Sequence, residues 1–286
     1  MDEKLIKRMF GTHVWPVIDF GLSGIPLQAQ KLAGKLSISG VQPKLILKLN
    51  KDTNQLETMP GGDYILKPQT DRFLNIPENE QCCMDIAEIL GIDTPPHCLL
   101  PLKDNSLAYV IKRFDRQDGE KIHQEEFSQL LGEDDKYKGS VERIGRKIRE
   151  ISTAPGYDLQ LFFERVVLNF IVANADAHLK NYTMRYFGDE RRLSPVYDVV
   201  CSRLAIPDEK EESAITINGK KNNLTRTDFD ILATYLKTPL NVGYKNFEHK
   251  YGVIKVIVEK SNLPKEDKTL FMRIVEERLN RLNIAL

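Results

Sequence analysis

N-A-D-A-H-L-K-N at positions 174–181, followed by Y-D at 197–198, decides how the rest of this chain is read. Four residues separate Asp176 from Asn181, and Asp198 lies 17 residues beyond Asn181. A carboxylate placed to take a proton, then a carboxamide and a second carboxylate placed to hold Mg2+, is the set that phosphoryl transfer from a nucleotide uses. The same residues also suit a polar loop closed by Asx side chains after an apolar helix. On the motif alone the two readings balance, and the flanking sequence has to separate them.

Upstream, Leu161, Phe162, Val166, Leu168, Phe170, Ile171 and Val172 recur at helical spacing, and this helix delivers its C-terminal end to the Asp176 loop. Asp158 is expected to cap it. Downstream, 182–187 and 193–199 are expected to form strands around Gly188-Asp189, with Asp198 at a strand end beside Asp176. The early chain is strand-like instead. Residues 45–49 and 64–67 read as strands joined through Pro60-Gly61-Gly62-Asp63, and 107–111 as a buried third. Residues 78–90 carry Cys82, Cys83, Ile86, Ala87, Ile89 and Leu90 at helical spacing and stop at Gly91. Further helices are expected over 125–131, 141–151, 228–237 and 266–283, while 1–34 show little periodicity. Strands early and helices late predict an α+β protein of two lobes, a strand-rich 1–116 and a helical 117–286, with a cleft near residue 116.

Lysine plus arginine equals aspartate plus glutamate at 41 each, so no overall field recruits nucleic acid or membrane. Cys82, Cys83, Cys98 and Cys201 lack paired metal-ligand spacing and read as apolar core residues in a reducing compartment. The histidines form no zinc pattern, and no G-x-S-x-G elbow points to a hydrolase. No apolar run reaches about 18 residues. Met1-Asp2-Glu3-Lys4 puts acids ahead of any apolar stretch, so a cytoplasmic location is expected.

If Asp176 is a general base, other segments must hold the nucleotide. Residues 36–44, L-S-I-S-G-V-Q-P-K, precede a strand and could bend over phosphates with backbone N–H groups and the hydroxyls of Ser37 and Ser39. Gly40 is the segment's single glycine, and locally an ordinary turn is the simpler reading. Lys67 closes an apolar strand, where a kinase places its phosphate-binding lysine; Glu80 in the next helix is the expected partner. A surface lysine with acids at a helix start would look the same. His178 stands two residues after Asp176, where protein kinases often carry a lysine near the γ-phosphate. A local hydrogen-bonding role is the commoner fate of a loop histidine.

Four separated segments together resemble one family. S-I-S-G-V-Q-P-K (37–44), I-K-R-F-D-R (111–116), H-Q-E-E-F-S-Q-L-L-G (123–132), and N-A-D-A-H-L-K-N with S-P-V-Y-D (174–198) resemble the HipA family of toxin serine/threonine kinases. The resemblance implies a bilobal HipA-type kinase fold and ATP- and Mg2+-dependent transfer to a protein Ser or Thr. In characterised members that target is an aminoacyl-tRNA synthetase, and translation stops. Carried over by position, Asp176 is the base, Asn181 and Asp198 hold metal, and Lys67 binds phosphate. Ser37, Ile38, Ser39 and Gly40 form the loop over the triphosphate, Lys112 to Phe114 the adenine hinge. Ser37 and Ser39 become candidate autophosphorylation sites, and Asp115, His123 and Gln129 match polar positions near the cleft. With 36 residues ahead of Ser37, the chain looks like the short HipT kinases. That implies a small HipS-like protein and a HipB-like DNA-binding antitoxin as partners, in a bacterial cytoplasm; entry into a host would need a route not readable in the chain.

The chain departs from the patterns in places. Asn174-Ala175 replaces the usual kinase His-Arg, Ala177 stands where many relatives have a second acid, and Val199-Val200 follows Asp198 in place of Phe-Gly. Two other readings remain open: a small-molecule phosphotransferase with the same catalytic engine, and a non-catalytic partner-binding regulator. The presence of base, metal ligands and strand lysine together speaks against the regulator. The 37–44 loop and F-D-R hinge favour the toxin kinase over the small-molecule enzyme.

Overall fold

The computed structural model of the chain describes residues 3–33, 43–117 and 119–286. Two compact units emerge, Met1–Gln81 with Pro95–Glu120 and Cys82–Thr94 with Lys121–Leu286.

Among its described residues the first unit contains helices α1 (Glu3–Phe10) and α2 (Ile25–Ala33), a two-residue strand at Arg116–Gln117, and the strands β1 (Leu45–Asn50), β2 (Gln55–Thr58), β3 (Tyr64–Pro68), β4 (His97–Pro101) and β5 (Leu107–Lys112). They form one sheet in the order β2-β1-β3-β5-β4. Successive strand side chains point to opposite faces. Leu45, Leu47, Tyr64, Leu66, Cys98, Leu100, Ala108 and Val110 therefore share one buried core. Lys67 falls on the alternate register, paired across the sheet with Tyr109. The described residues of the aperiodic-looking 1–34 supply cover for that core. Ile6, Met9, Phe10, Ile18 and Ile25 are buried in it, and Tyr64 donates its hydroxyl to Met9 O at 3.0 Å. The polar connection after β1 also holds β2, which pairs antiparallel with β1.

Helix α3 (Ile76–Ile89) crosses the division between the units, and Gly91 beyond it has φ +76°. Cys82, Cys83, Cys98 and Cys201 are all buried free thiols, the core role expected of them.

The second unit is mainly helical: α4 (Phe127–Leu130), α5 (Val141–Ile151), α6 (Pro155–Ile171), α7 (Ser202–Ala205), α8 (Arg226–Leu236), α9 (Leu240–Gly243), α10 (Tyr251–Lys260) and α11 (Lys265–Arg281). A three-stranded antiparallel sheet joins β6 (His123–Glu126), β7 (Thr183–Phe187) and β8 (Glu190–Leu193), with β7 in the middle. Helix α6 is buried nearly all round, as a central helix is; Phe162, Phe163, Val167, Leu168, Phe170 and Ile171 are among its buried residues. Phe170 meets the Phe229 ring of α8 at 5.0 Å, and the Arg278 guanidinium of α11 lies 4.4 Å from its centroid.

Three local expectations change. Helix α6 begins at Pro155, a residue pre-shaped for the first turn. Asp158 lies inside that turn, buried. It accepts from Ser152 Oγ at 2.6 Å and Leu193 N at 3.1 Å, and it pairs with Arg192 at 3.1 Å. The second strand of the hairpin ends at Leu193, so 194–199 are not a strand. Residues 123–126 are a strand, because they complete the sheet against β7, and the helix starts only at Phe127.

Candidate active site

The loop that carries Asp176 is set by the way α6 stops. Ala173 turns left-handed at φ +54°. Its N–H bonds Phe170 O at 3.1 Å, and the N–H of Asn174 bonds Asn169 O at 2.8 Å. This double closure normally uses glycine at the left-handed position. The loop is then tied to the start of α7. Ala175 N donates to Ser202 Oγ at 3.0 Å, and Ser202 N donates to Ala173 O at 2.9 Å. The Asn174 carboxamide donates to Asn169 Oδ1 at 2.9 Å and to Asp198 O at 3.4 Å. Asn174 thus links the two segments that carry the carboxylates.

Asp176 presents its carboxylate to solvent, with the side chain 57% exposed. Tyr137 donates its hydroxyl to Oδ1 at 2.9 Å. Oδ2 lies 4.0 Å from His178 Nε2. His178 is buried, and the Lys136 ammonium stands 2.8 Å from its Nε2. An ammonium only donates, so Nε2 accepts and the imidazole is neutral with its proton on Nδ1. Burial is the main force pushing the His178 pKa below its ordinary value, and Lys136 adds to it against the pull of Asp176 and Asp198. Partial burial first, then the bond to Asp176, push the Tyr137 phenol up to about 12, so it stays a donor.

A single 3-10 turn over Leu179–Asn181 follows. Asn181 Oδ1 accepts from His178 N at 3.0 Å, and its Nδ2 faces Asp198 Oδ2 at 3.5 Å. Asp198 is left-handed at φ +56°, a conformation that Asp tolerates better than most residues. A carboxylate beside a carboxamide is an oxygen donor set suited to Mg2+. The fit requires the Asn181 amide to turn over so that oxygen points at Asp198. Asp176, His178, Asn181 and Asp198 are thus gathered in the second unit. Ala177 is buried, so the missing acid there does not strip a solvent-facing contact.

In the first unit, Lys67 Nζ contacts Glu80 Oε1 at 2.5 Å, with the side chains 5% and 1% exposed. The expected partner is the observed one. At the hinge positions, Lys112 N donates to Pro96 O and Arg113 N to Asp63 O, each at 2.8 Å, so those two N–H groups are already engaged. Phe114 lies between them and Asp115. Burial alone would raise the Asp115 pKa, yet the forked bonds from Arg113 at 2.8 and 2.6 Å hold it below the usual range. In the second unit, Gln129 closes the capping box of α4 by accepting from Glu126 N at 2.9 Å. His123 is exposed and stacks 4.9 Å from the Tyr186 ring. Ser37, Ile38, Ser39 and Gly40 lie outside the described residues.

Lys136 and Tyr137 were not expected from the sequence. They sit 42 and 39 residues from His178 and Asp176. The only signal was their place just after the 123–132 motif.

Residues 36–266 match the HipA-like C-terminal domain. Y4mE of Sinorhizobium fredii, named as a kinase, is 32% identical over 74% of this chain and 53% of its own length. The serine/threonine-protein kinase toxin HipA of Shewanella oneidensis is 26% identical over 69% of this chain and 48% of its own. The chain spans about half the length of the curated relatives it matches. Among solved structures, S. oneidensis HipA in complex with HipB and operator DNA superposes with a TM-score of 0.71 at 21% identity, covering 99% of this chain and 71% of that one. The Helicobacter pylori proinflammatory kinase CtkA gives 0.59 at 14% identity, over 83% and 93%. Both establish a kinase-like fold. No helix among the described residues is long and apolar enough to cross a membrane.

Proposed function

The chain belongs to the HipA-like family, and from that premise we propose that it is a serine/threonine protein kinase acting as the toxin of a toxin–antitoxin system. The observation that carries this reading is the meeting of Asn181 with Asp198 in the loop cluster that also holds Asp176. A kinase further needs a strand lysine held by a helix carboxylate, and the buried Lys67–Glu80 pair supplies it.

In this reading Asp176 accepts the proton of the attacking hydroxyl. Asn181 and Asp198 would hold Mg2+, which when bound neutralises charge on the phosphates. Lys67 binds phosphate, with Ser37 to Gly40 folded over it and Lys112 to Phe114 beside the adenine. The acceptor is proposed to be a Ser or Thr of an aminoacyl-tRNA synthetase, with Ser37 or Ser39 phosphorylated in cis as a brake, since an added dianion there repels ATP. The HipA of the solved complex is bound to HipB and operator DNA; for this chain we propose a HipB-like antitoxin and, by its likeness to HipT, a HipS-like small protein.

The test is phosphoproteomics after brief expression of the chain and of its Asp176→Asn variant. The expected result is phosphate on a synthetase and on Ser37 or Ser39 with the parent chain. In the variant, transfer should fall by at least ~10²-fold. Full activity in the variant removes Asp176 as base, and phosphate confined to small molecules favours the phosphotransferase reading.

A further inference from the structure

The position two residues after the base is held by a neutral, buried histidine, so that position brings no fixed positive charge to the transferring group. The charge comes from elsewhere in the unit. Lys136 extends to His178 Nε2 at 2.8 Å, and that nitrogen is 4.0 Å from the Asp176 carboxylate. The backbone at Lys136 is anchored by Leu179 N, which donates to its carbonyl at 3.1 Å. The ammonium also lies 4.8 Å from the Tyr137 ring, whose edge meets His178 at 5.4 Å. The neighbouring cations Lys138 and Arg143 are both committed to Glu133, at 3.3 and 2.7 Å. Among the described residues Lys136 forms no ion pair with a carboxylate. Its present partner is a neutral imidazole, which an incoming phosphate oxygen outbids.

We propose that Lys136 is a catalytic residue, its ammonium bound to the γ-phosphoryl group in transit, and that Tyr137 is the positioning residue that fixes the Asp176 carboxylate. The proposal rests on the kinase reading above. The acceptor hydroxyl oxygen bonds to the γ-phosphorus while the bond from phosphorus to the β,γ-bridging oxygen breaks, its electron pair leaving with ADP. The hydroxyl proton passes to Asp176 Oδ2, the oxygen not occupied by Tyr137. Lys136 keeps its protons throughout and offsets charge on the equatorial oxygens, the position where fixed charge lowers the barrier most.

The experiment uses the full chain with radiolabelled ATP, following ATP hydrolysis, self-labelling and labelling of bacterial lysate protein. Lys136→Met and Lys136→Gln are compared with Asp176→Asn and the parent; the Gln variant keeps a donor for His178 while losing the charge. Both Lys136 variants should lower kcat by about 10²–10³-fold, as loss of one preorganised stabiliser does, with KM for ATP nearly unchanged and unaltered melting. His178 faces the Asp176 and Asp198 carboxylates, the Lys136 ammonium and the Tyr137 ring edge. Tyr137→Phe should lower kcat less than either Lys136 variant, and full kcat there removes Tyr137 from its role. An Asp176→Asn variant that is inactive beside a Lys136→Gln variant of parental kcat overturns the inference and leaves the kinase reading standing. A parent chain that transfers no label in any format overturns both.

Discussion

Removing one member of the Lys67–Glu80 pair should cost far more than removing both. The two charges touch at 2.5 Å with almost no exposure. At an effective dielectric near 20 their attraction is about 6–7 kcal/mol. Taking two ions out of water costs several kcal/mol each, so the pair adds little net stability. A single substitution takes from the survivor the opposite charge it meets at 2.5 Å. Glu80→Leu leaves a buried ammonium over the Tyr109 ring, and Lys67→Met leaves a buried carboxylate; each should lose about 3–5 kcal/mol. The double variant Lys67→Met/Glu80→Leu replaces both by apolar groups and should return close to parental stability. Urea denaturation of all four proteins, followed by far-UV and near-UV circular dichroism, gives the coupling directly. The same four proteins are then assayed for label transfer from ATP. The double variant is expected to be folded and inactive, because in the proposed kinase reading Lys67 binds the ATP phosphates. Single variants losing less than about 1 kcal/mol would refute the desolvated pair. A folded double variant with parental transfer would refute the functional role.

Three further outcomes are expected. Asp198→Asn should weaken Mg2+-dependent ATP binding on the order of tenfold or more, measured by calorimetry at saturating Mg2+; unchanged affinity sinks its metal role. Burial alone would raise the Asp228 pKa, but Lys220, Asn218 and Thr225 hold it down at about 2 from 3.8. Its contribution, complete above the unfolded value, is therefore lost as pH falls from 3.8 through about 2. Asp228→Asn should show a shallower acid loss in that window, and an identical slope rejects the assignment. Gly62→Ala would place a methyl 2.2 Å from Leu47 O, a backbone atom unable to swing aside. It should lose about 1–3 kcal/mol, and an unchanged melting temperature would refute this close approach.

What was legible in the chain was what is local or periodic. The spacing of Asp176, Asn181 and Asp198 spans one turn and one hairpin, so their gathering follows from short-range geometry. Lys67 stood out because a lysine among Tyr64, Ile65 and Leu66 is out of place unless paired, and Glu80 opens the following helix. Other features depend on distant partners. Asp158 has the residue type and position of a cap, yet Arg192 and Leu193, 34 and 35 residues on, draw it inside. Strand β4 is hidden between prolines at 95, 96 and 101, and its assignment needs β5 beside it. The helix Glu3–Phe10 is too short to display a period clearly, and its burial is decided by the sheet it covers. Lys136 and Tyr137 carry no local mark beyond their place after the 123–132 motif, because their meaning comes from residues some forty positions away.

Two of the left-handed non-glycine residues of the second unit fall on either side of this cluster. Ala173 and Asp198 both adopt left-handed dihedrals, which cost a non-glycine residue roughly 1–2 kcal/mol. Such positions persist only where surrounding bonds over-determine them. Here those bonds are visible: Asn174 ties the Asp198 carbonyl to Asn169, and Ser202 ties the Ala173 carbonyl to the amide of Ala175. Asn169, Asn174 and Ser202 are buried or nearly so and carry no chemistry of their own. Their work is to convert the end of one apolar helix into a fixed platform for two carboxylates. That explains why Asn169 interrupts an otherwise hydrophobic run just before N-A-D-A-H-L-K-N, and how the exposed Asp176 side chain is held on one oxygen by Tyr137.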